Sequence, residues 1–220
     1  MSDSITVRLS RLDACALSDA SDKLGLTACV TGLPPLSVAR KIFGRVHTVK
    51  LVKKEDAPPS SGKPVHLGSN AIMACAAGEI IVVEQNTGLD AGSWGGILSM
   101  GAKVRGIAGV IASGPVRDID EAKQMDFAVY APRCTAKTAR NRLAEAATDV
   151  PINIGGVTVS PGDYVLADGS AVVFIRAADA EKVVGEAEMI ARREAVMAKA
   201  LMEGKPITEV MGADYEHMLR

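Results

Sequence analysis

Aromatic residues are scarce in this chain: three Phe, three Tyr and Trp94 among 220 positions. So few flat side chains leave no platform on which the bases of a single-stranded nucleic acid could stack. Neither sign of charge is in excess, since 25 Lys and Arg face 26 Asp and Glu for a formal net charge of −1. No global field therefore draws the chain to nucleic acid or to an anionic membrane. Cys15, Cys29, Cys75 and Cys134 lie far apart without a C-x-x-C pair, which excludes a zinc knuckle or a thiol redox motif. They read instead as small apolar residues in a reducing compartment. No apolar run approaches membrane-spanning length. Asp3 and Asp13 flank no long apolar core, so no signal peptide is expected and a cytoplasmic location is. Also missing are G-x-x-x-x-G-K-[ST], the G-x-S-x-G elbow, and a strand followed by G-x-G-x-x-G. Their absence argues against kinases, serine hydrolases and dinucleotide oxidoreductases.

What is present is enough apolar material, 48% of residues, to bury a core, and one domain over residues 1–220 is the simplest division. Residues 17–25 read as a short helix, with Ser18 or Asp19 as cap and Gly25 as stop. Pro34-Pro35 marks a turn, and Ile42 to Val52 alternates as a strand does. Residues 55–64 have the composition of a mobile surface loop. A small-residue helix is predicted over 68–77, then a buried strand at Ile80-Ile81-Val82-Val83. A helix from Gly95, a strand from Ile107, a short helix from Asp118 and a strand over 127–130 follow. Residues 151–175 are β-rich, and 178–202 form one long helix with Val183, Val184, Ala187, Ile190 and Ala191 near one face. This alternation makes an α/β chain.

The most informative stretch runs from Gly95-Gly96 to Arg117-Asp118. A glycine pair opens a helix whose N-terminal amides can hold an anion. A strand then ends in Gly114-Pro115, which presents a cation and a carboxylate side by side. Such a convergence suits an oxyacid with a divalent metal. Each part has a plainer reading. Asp118-x-x-Glu121 is a capping box, favoured for Asp118 on local sequence, and paired glycines commonly mean a tight turn. Arg117 follows an apolar strand, and its fork suits a carboxylate or enolate. His47 and His66 read as strand or surface histidines, and His217 as part of a frayed tail. Lys103, Lys123 and Lys137 have no surroundings that single one out for Schiff-base chemistry. Asp168 reads as a turn residue.

Several segments together resemble a known family. They are Leu17-Ser18-Asp19-Ala20 with Leu24-Gly25, Gly78 to Val83, Trp94-Gly95-Gly96 with Ala102, and Gly106 with Gly109-Val110. Gly114 with Val116-Arg117-Asp118, Gly156 to Asp163, and Ala167-Asp168 complete the set. In this order they resemble the RraA-like family, which holds the regulator of ribonuclease activity A and the 4-hydroxy-4-methyl-2-oxoglutarate/4-carboxy-4-hydroxy-2-oxoadipate aldolases. The resemblance covers residues 17 to about 201. It implies a swivelling β/β/α fold with a C-terminal helical extension over about 178–220. It also implies a homotrimer or homohexamer with sites between subunits, and an Mg²⁺- or Mn²⁺-dependent lyase acting on small 2-oxo acids. By the same resemblance Arg117 would bind the 2-oxo oxygen and stabilise the enolate, and Asp118 would hold the metal. Gly95, Gly96 and the amides of Ile97 and Leu98 would bind the substrate carboxylate. Glu194 of a neighbouring subunit would reach the metal's waters. Where the family's aldolases carry a proton-handling aspartate, this chain has Gly96, so poor aldol cleavage is expected, with Asp90 and Glu121 as substitutes for the missing acid. The other class open to the chain is a non-catalytic regulator of a ribonuclease. The long C-terminal helix favours the enzyme.

Overall fold

The computed structural model describes residues 4–58 and 66–212. The order of elements begins with α1 (Ser4–Leu9), α2 (Ala14–Lys23), β1 (Cys29–Val30), β2 (Ile42–Lys53) and α3 (Ser69–Ala74). It continues through β3 (Ile80–Gln85), α4 (Gly96–Val104), β4 (Gly109–Ala112), α5 (Ile119–Gln124) and β5 (Ala128–Tyr130). Then come β6 (Leu143–Thr148), β7 (Ile152–Ile154), β8 (Val157–Val159), β9 (Tyr164–Ala167) and β10 (Val172–Ile175). Helices α6 (Ala180–Met202) and α7 (Ile207–Val210) close the described chain. Lys54–Asp56 and Ala177–Asp179 are single 3₁₀ turns.

The curled main sheet runs β1-β10-β9-β2-β3-β4-β5, with β6 also paired to β2. Strands β2 to β5 are mutually parallel, joined by crossovers that carry α3, α4 and α5. The β1-β10-β9 part is antiparallel and joins the first half of β2, Ile42–Arg45 against Ala167–Tyr164. At that junction Gly44 has φ +152°, and a Cβ there would stand 2.7 Å from the Gly78 carbonyl oxygen. Only glycine lets the two backbones approach so closely.

Side-chain alternation divides the interior in three. On β3, Ile81 and Val83 face α3, α4 and α5, while Ile80 and Val82 face the antiparallel strands and the β7-β8 hairpin. With helices on one face and strands on the other, β3 is buried along its whole length, as a parallel central strand should be. On β9 and β10 the outward residues Tyr164, Leu166, Val173 and Ile175 meet α1, α2 and α6. Val183, Val184, Ala187 and Ile190 of α6 are buried there, each stabilising by about 1.5–3 kcal/mol except the smaller alanine. Beyond residue 191 that helix is exposed apart from scattered half-buried positions.

Several boundaries differ from the sequence expectation. Helix α2 begins three residues earlier than predicted, because Asp13 is its cap, accepting from the Ala16 amide at 2.8 Å. Ser18 and Asp19 are interior to it. Strand β4 starts at Gly109, since the Ile107 amide still bonds back to Ala102 O at the end of α4. The predicted loop over 55–64 includes part of a 3₁₀ turn, and its residues 59–64 lie outside the described ones. Asp168 does form a turn, through Ser170 N, and its other oxygen accepts from Ala14 N at 2.8 Å. Among the described residues no helix is long and apolar enough to cross a membrane.

Candidate active site

Loops at the C-terminal ends of β2, β3, β4 and β5 enclose a cavity of about 160 Å³. Its lining runs from Gly92 to Leu98 and includes Arg117, Asp118, His66, Leu67, Thr138 and Ala139. Carboxyl ends of parallel strands are where open α/β sheets bind ligands. The loop after β3 is held from below by Gln85, whose buried amide donates to Leu89 O (3.1 Å) and Ala91 O (3.3 Å). It is laced to the turn after β4: Ser93 N and Ser93 Oγ both donate to Pro115 O at 2.8 Å, and Arg117 N donates to Trp94 O at 3.0 Å. Trp94 is buried beneath, its indole Nε1 donating to Ser99 Oγ at 3.0 Å.

Glycines make the floor on which Arg117 lies. A Cβ at Gly92 would sit 3.0 Å from both Cγ and Cδ of Arg117, and one at Gly95 would sit 2.9 Å from Asp118 Oδ2. Any side chain there would lift the guanidinium off its bed. Arg117 Nε donates to Asp118 Oδ1 and Oδ2 at 3.2 and 3.1 Å, with both side chains about one-third exposed. The favoured capping-box reading of Asp118 does not hold. Asp118 stands before α5 in a left-handed conformation, φ 57°, and makes no side-chain cap to that helix. Its carboxylate instead accepts from Gly96 N at 3.0 Å, the first amide of α4. The next two amides, of Ile97 and Leu98, donate to no described residue, and the helix dipole gives that end of α4 a partial positive charge beside Arg117.

Glu121 comes from the first turn of α5 and is exposed. It leans over Gly96: a Cβ at that glycine would fall 1.9 Å from Glu121 Oε2 and 3.2 Å from Asp118 Cβ. A carboxylate thus occupies the space that a side chain at position 96 would take. Asp90 is differently placed, paired with Arg133 Nη1 at 2.5 Å and Lys137 Nζ at 2.9 Å. Arg133 first and Lys137 next hold its carboxyl well below the usual range, which unsuits it as a base near neutral pH.

The other sequence candidates lie apart from this constellation. Glu194 sits on α6, where burial and then the charges of Asp13 and Asp19 raise its carboxyl. No α6 residue lines the cavity, so one chain does not bring Glu194 to Asp118. Lys103 donates to Asp126 O, Lys123 lies 3.4 Å from Asp120, and Lys137 pairs with Asp90. No lysine lines the cavity among the described residues. His66 does line it, at the rim, with Nδ1 3.1 Å from Leu67 O. His47 is a strand residue but not an isolated one, standing between Glu79 and Asp149. His217 lies outside the described residues. Gly92, His66 and the placing of Glu121 were not singled out, because a lone loop glycine, a lone histidine and a first-turn glutamate have no local mark.

A larger cleft of about 940 Å³ opens at the other, N-terminal ends of β3, β4 and β5. Its charged groups are committed: Arg40 to Asp126, Lys41 to the carbonyls of Ser10 and Leu12, Arg45 to Gly162 O and the Tyr164 ring. The smaller cavity holds the convergent groups.

The hard oxygen donor at Asp118, about one-third exposed and lining the cavity, fits a small divalent cation that keeps much of its hydration. Fold and site together define an α/β protein with a helix N-terminus, an arginine and a carboxylate gathered at the C-terminal edge of a parallel sheet. The chain belongs to the RraA-like family, described as Aldolase/RraA, which residues 14–174 match. Protein DlpA of Legionella pneumophila is 28% identical over 202 residues, 92% of this chain and 32% of its own length. The chain thus spans about a third of that relative. A Halalkalibacterium halodurans protein, provisionally named 4-hydroxy-4-methyl-2-oxoglutarate aldolase, is 27% identical over 172 residues, 78% of this chain and 76% of that one. An uncharacterised protein from Pseudomonas syringae has a crystal structure that superposes with a TM-score of 0.83 at 27% identity, over 95% of this chain and 97% of that one.

Proposed function

We propose that the chain is a divalent-metal-dependent carbon–carbon lyase of small 2-oxo acids, acting through a pyruvate-type enolate. The observation that carries this reading is Arg117, laid on Gly92 and Gly95, beside Asp118 and the amides of Ile97 and Leu98, which donate to no described residue. A substrate carboxylate on Ile97 N and Leu98 N would direct its 2-oxo oxygen toward Arg117. The guanidinium would then gain most as that oxygen becomes an enolate, which is how a fixed cation lowers a barrier. Asp118 would hold Mg²⁺ or Mn²⁺ with water in the remaining positions, and the metal would supply Lewis-acid stabilisation of the same oxygen. Glu121 would take the hydroxyl proton in aldol cleavage, the task for which Gly96 offers no group. A cavity of about 160 Å³ is well below the ~300–1,000 Å³ of pockets for drug-sized ligands, and suits short acids. The aldolase name of a relative that matches most of this chain supports the reading.

Ile97, Met100 and Val104 form an exposed apolar stripe on α4 beside this cavity. A second copy of the chain is the occupant we propose for it, in a homotrimer or hexamer whose neighbour would supply Glu194. The deciding experiment measures cleavage of 4-hydroxy-4-methyl-2-oxoglutarate and decarboxylation of oxaloacetate by the pure protein after chelation and after Mn²⁺ addition. Turnover should vanish and return. Turnover indifferent to chelator, or an adduct trapped by borohydride, would overturn the metal reading. No turnover on any 2-oxo acid would favour the regulator.

A further inference from the structure

His47 of β2, Cys75 at the end of α3 and Glu79 just before β3 meet at the opposite end of the parallel strands from Arg117. One ligand atom from each lies within 4.8 Å of the others. The histidine is oriented: Nδ1 stands 3.0 Å from Asp149 Oδ1, and Nε2 turns to Glu79 Oε2 at 2.9 Å. Glu79 is held in turn by the Ala76 amide at 2.7 Å. Cys75 is buried, whereas the His47 and Glu79 side chains are about one-fifth exposed, so the cluster opens to solvent on one side.

We propose that His47, Cys75 and Glu79 form a site for a tetrahedral transition-metal ion of the zinc type, distinct from the site at Arg117 and Asp118. A thiolate, an imidazole and a carboxylate are the ligands Zn²⁺ takes, with a fourth position left to water. A sulfur donor disfavours Mg²⁺ and Mn²⁺, which prefer oxygen. Zn–S near 2.3 Å and Zn–N near 2.0 Å place tetrahedral ligand atoms ~3.3–3.6 Å apart, so His47 Nε2 and Glu79 Oε2, now at 2.9 Å, must open by a few tenths of an ångström, while all three ligand atoms already lie within 4.8 Å of one another. Asp149 holds the other imidazole nitrogen as an outer carboxylate does in metal-bound histidines. Charge balances, since one thiolate and one carboxylate neutralise the dication. Without a cation, burial first and the Glu79 charge next push the Cys75 thiol up to about 12. Binding therefore releases one thiol proton to solvent as the metal–sulfur bond forms.

Co²⁺ added to chelator-treated full-length protein tests this. One equivalent should produce an intense thiolate-to-Co(II) charge-transfer band that Zn²⁺ then bleaches. The band should be lost in Cys75→Ser and in His47→Gln, and kept in Asp118→Asn. Asp149→Asn should weaken binding ~10–100-fold while preserving the band. His47→Gln leaves the thiol in place, so misfolding of the serine variant does not remove the test. Absence of the band, its survival in both Cys75→Ser and His47→Gln, or its loss in Asp118→Asn would each overturn the proposal.

Discussion

Gly96 and Glu121 provide the sharpest test of the site. Gly96 alone suggests a lyase lacking its acid–base group, to be repaired by Gly96→Asp. The placing of Glu121 reverses that expectation. A side chain at position 96 meets the carboxylate end of Glu121 and Asp118 Cβ at 3.2 Å, so Gly96→Asp must turn the exposed end of Glu121 aside and crowd Asp118. It also sets a new charge near Asp118. Two like charges 4 Å apart repel by about 1 kcal/mol in water and about 4 kcal/mol in partly buried surroundings. With Asp118 about one-third exposed, the lower part of that range applies. Repulsion of that size favours the protonated form of one of the two carboxyls. Gly96→Asp alone should therefore gain no more than a few-fold in aldol cleavage. Glu121→Gln should lose ~100-fold, the usual worth of a placed acid–base group. Its decarboxylation of oxaloacetate should fall by less, because loss of CO₂ needs no hydroxyl proton removed. When Gly96→Asp and Glu121→Gln are combined, the new carboxylate no longer faces a second charge from position 121, and aldol cleavage should recover. Both reactions are followed by coupled reduction of the 2-oxo acid product. Wild-type aldol cleavage by Glu121→Gln would refute the assignment.

Arg117→Ala should lower kcat by roughly 10²-fold, about 3 kcal/mol of transition-state stabilisation. Its melting point should be unchanged, since the side chain lies on a surface of glycine and fills no core; calorimetry beside kinetics checks both. Light scattering should give an oligomer at micromolar concentration, and Glu194→Gln should lower turnover. A fully active monomer would remove the neighbour's part in the site. Arg8 grips Glu188 through Nε and Nη2 at 2.9 and 3.0 Å, joining α1 to α6, and this bond holds the Glu188 carboxyl below its usual range. A depressed carboxyl contributes stability above the unfolded value near pH 4.3 and loses it as pH falls through the folded one. Thermal melts at falling pH should show Arg8→Ala less stable at neutrality by roughly 0.5–1 kcal/mol, with the difference closing in acid.

Much of the frame was legible because its signals are local. Ile80 to Val83 is apolar on both faces and became the central strand; the spacing of Val183, Val184, Ala187 and Ile190 marked the inner face of α6. Arg117 and the Gly95-Gly96 opening of α4 were found because a strand, a turn and a helix start each leave a mark. What escaped depends on distance along the chain. Asp118 reaches an amide 22 positions back instead of capping its own helix. The lean of Glu121 over Gly96 depends on how α4 and α5 pack, which no periodicity records. His47 read as an ordinary strand or surface histidine because its partners are 32 and 102 positions away.

Strand β2 belongs to both halves of the molecule: its first residues pair with β9, its later ones with β3 and β6. The two halves are therefore not interchangeable parts. Removing either half would strip β2 of hydrogen-bonded partners, and the close backbone approach at Gly44 leaves no room for a side chain at the junction. The similarity to the longer Legionella protein, 202 residues, crosses both halves.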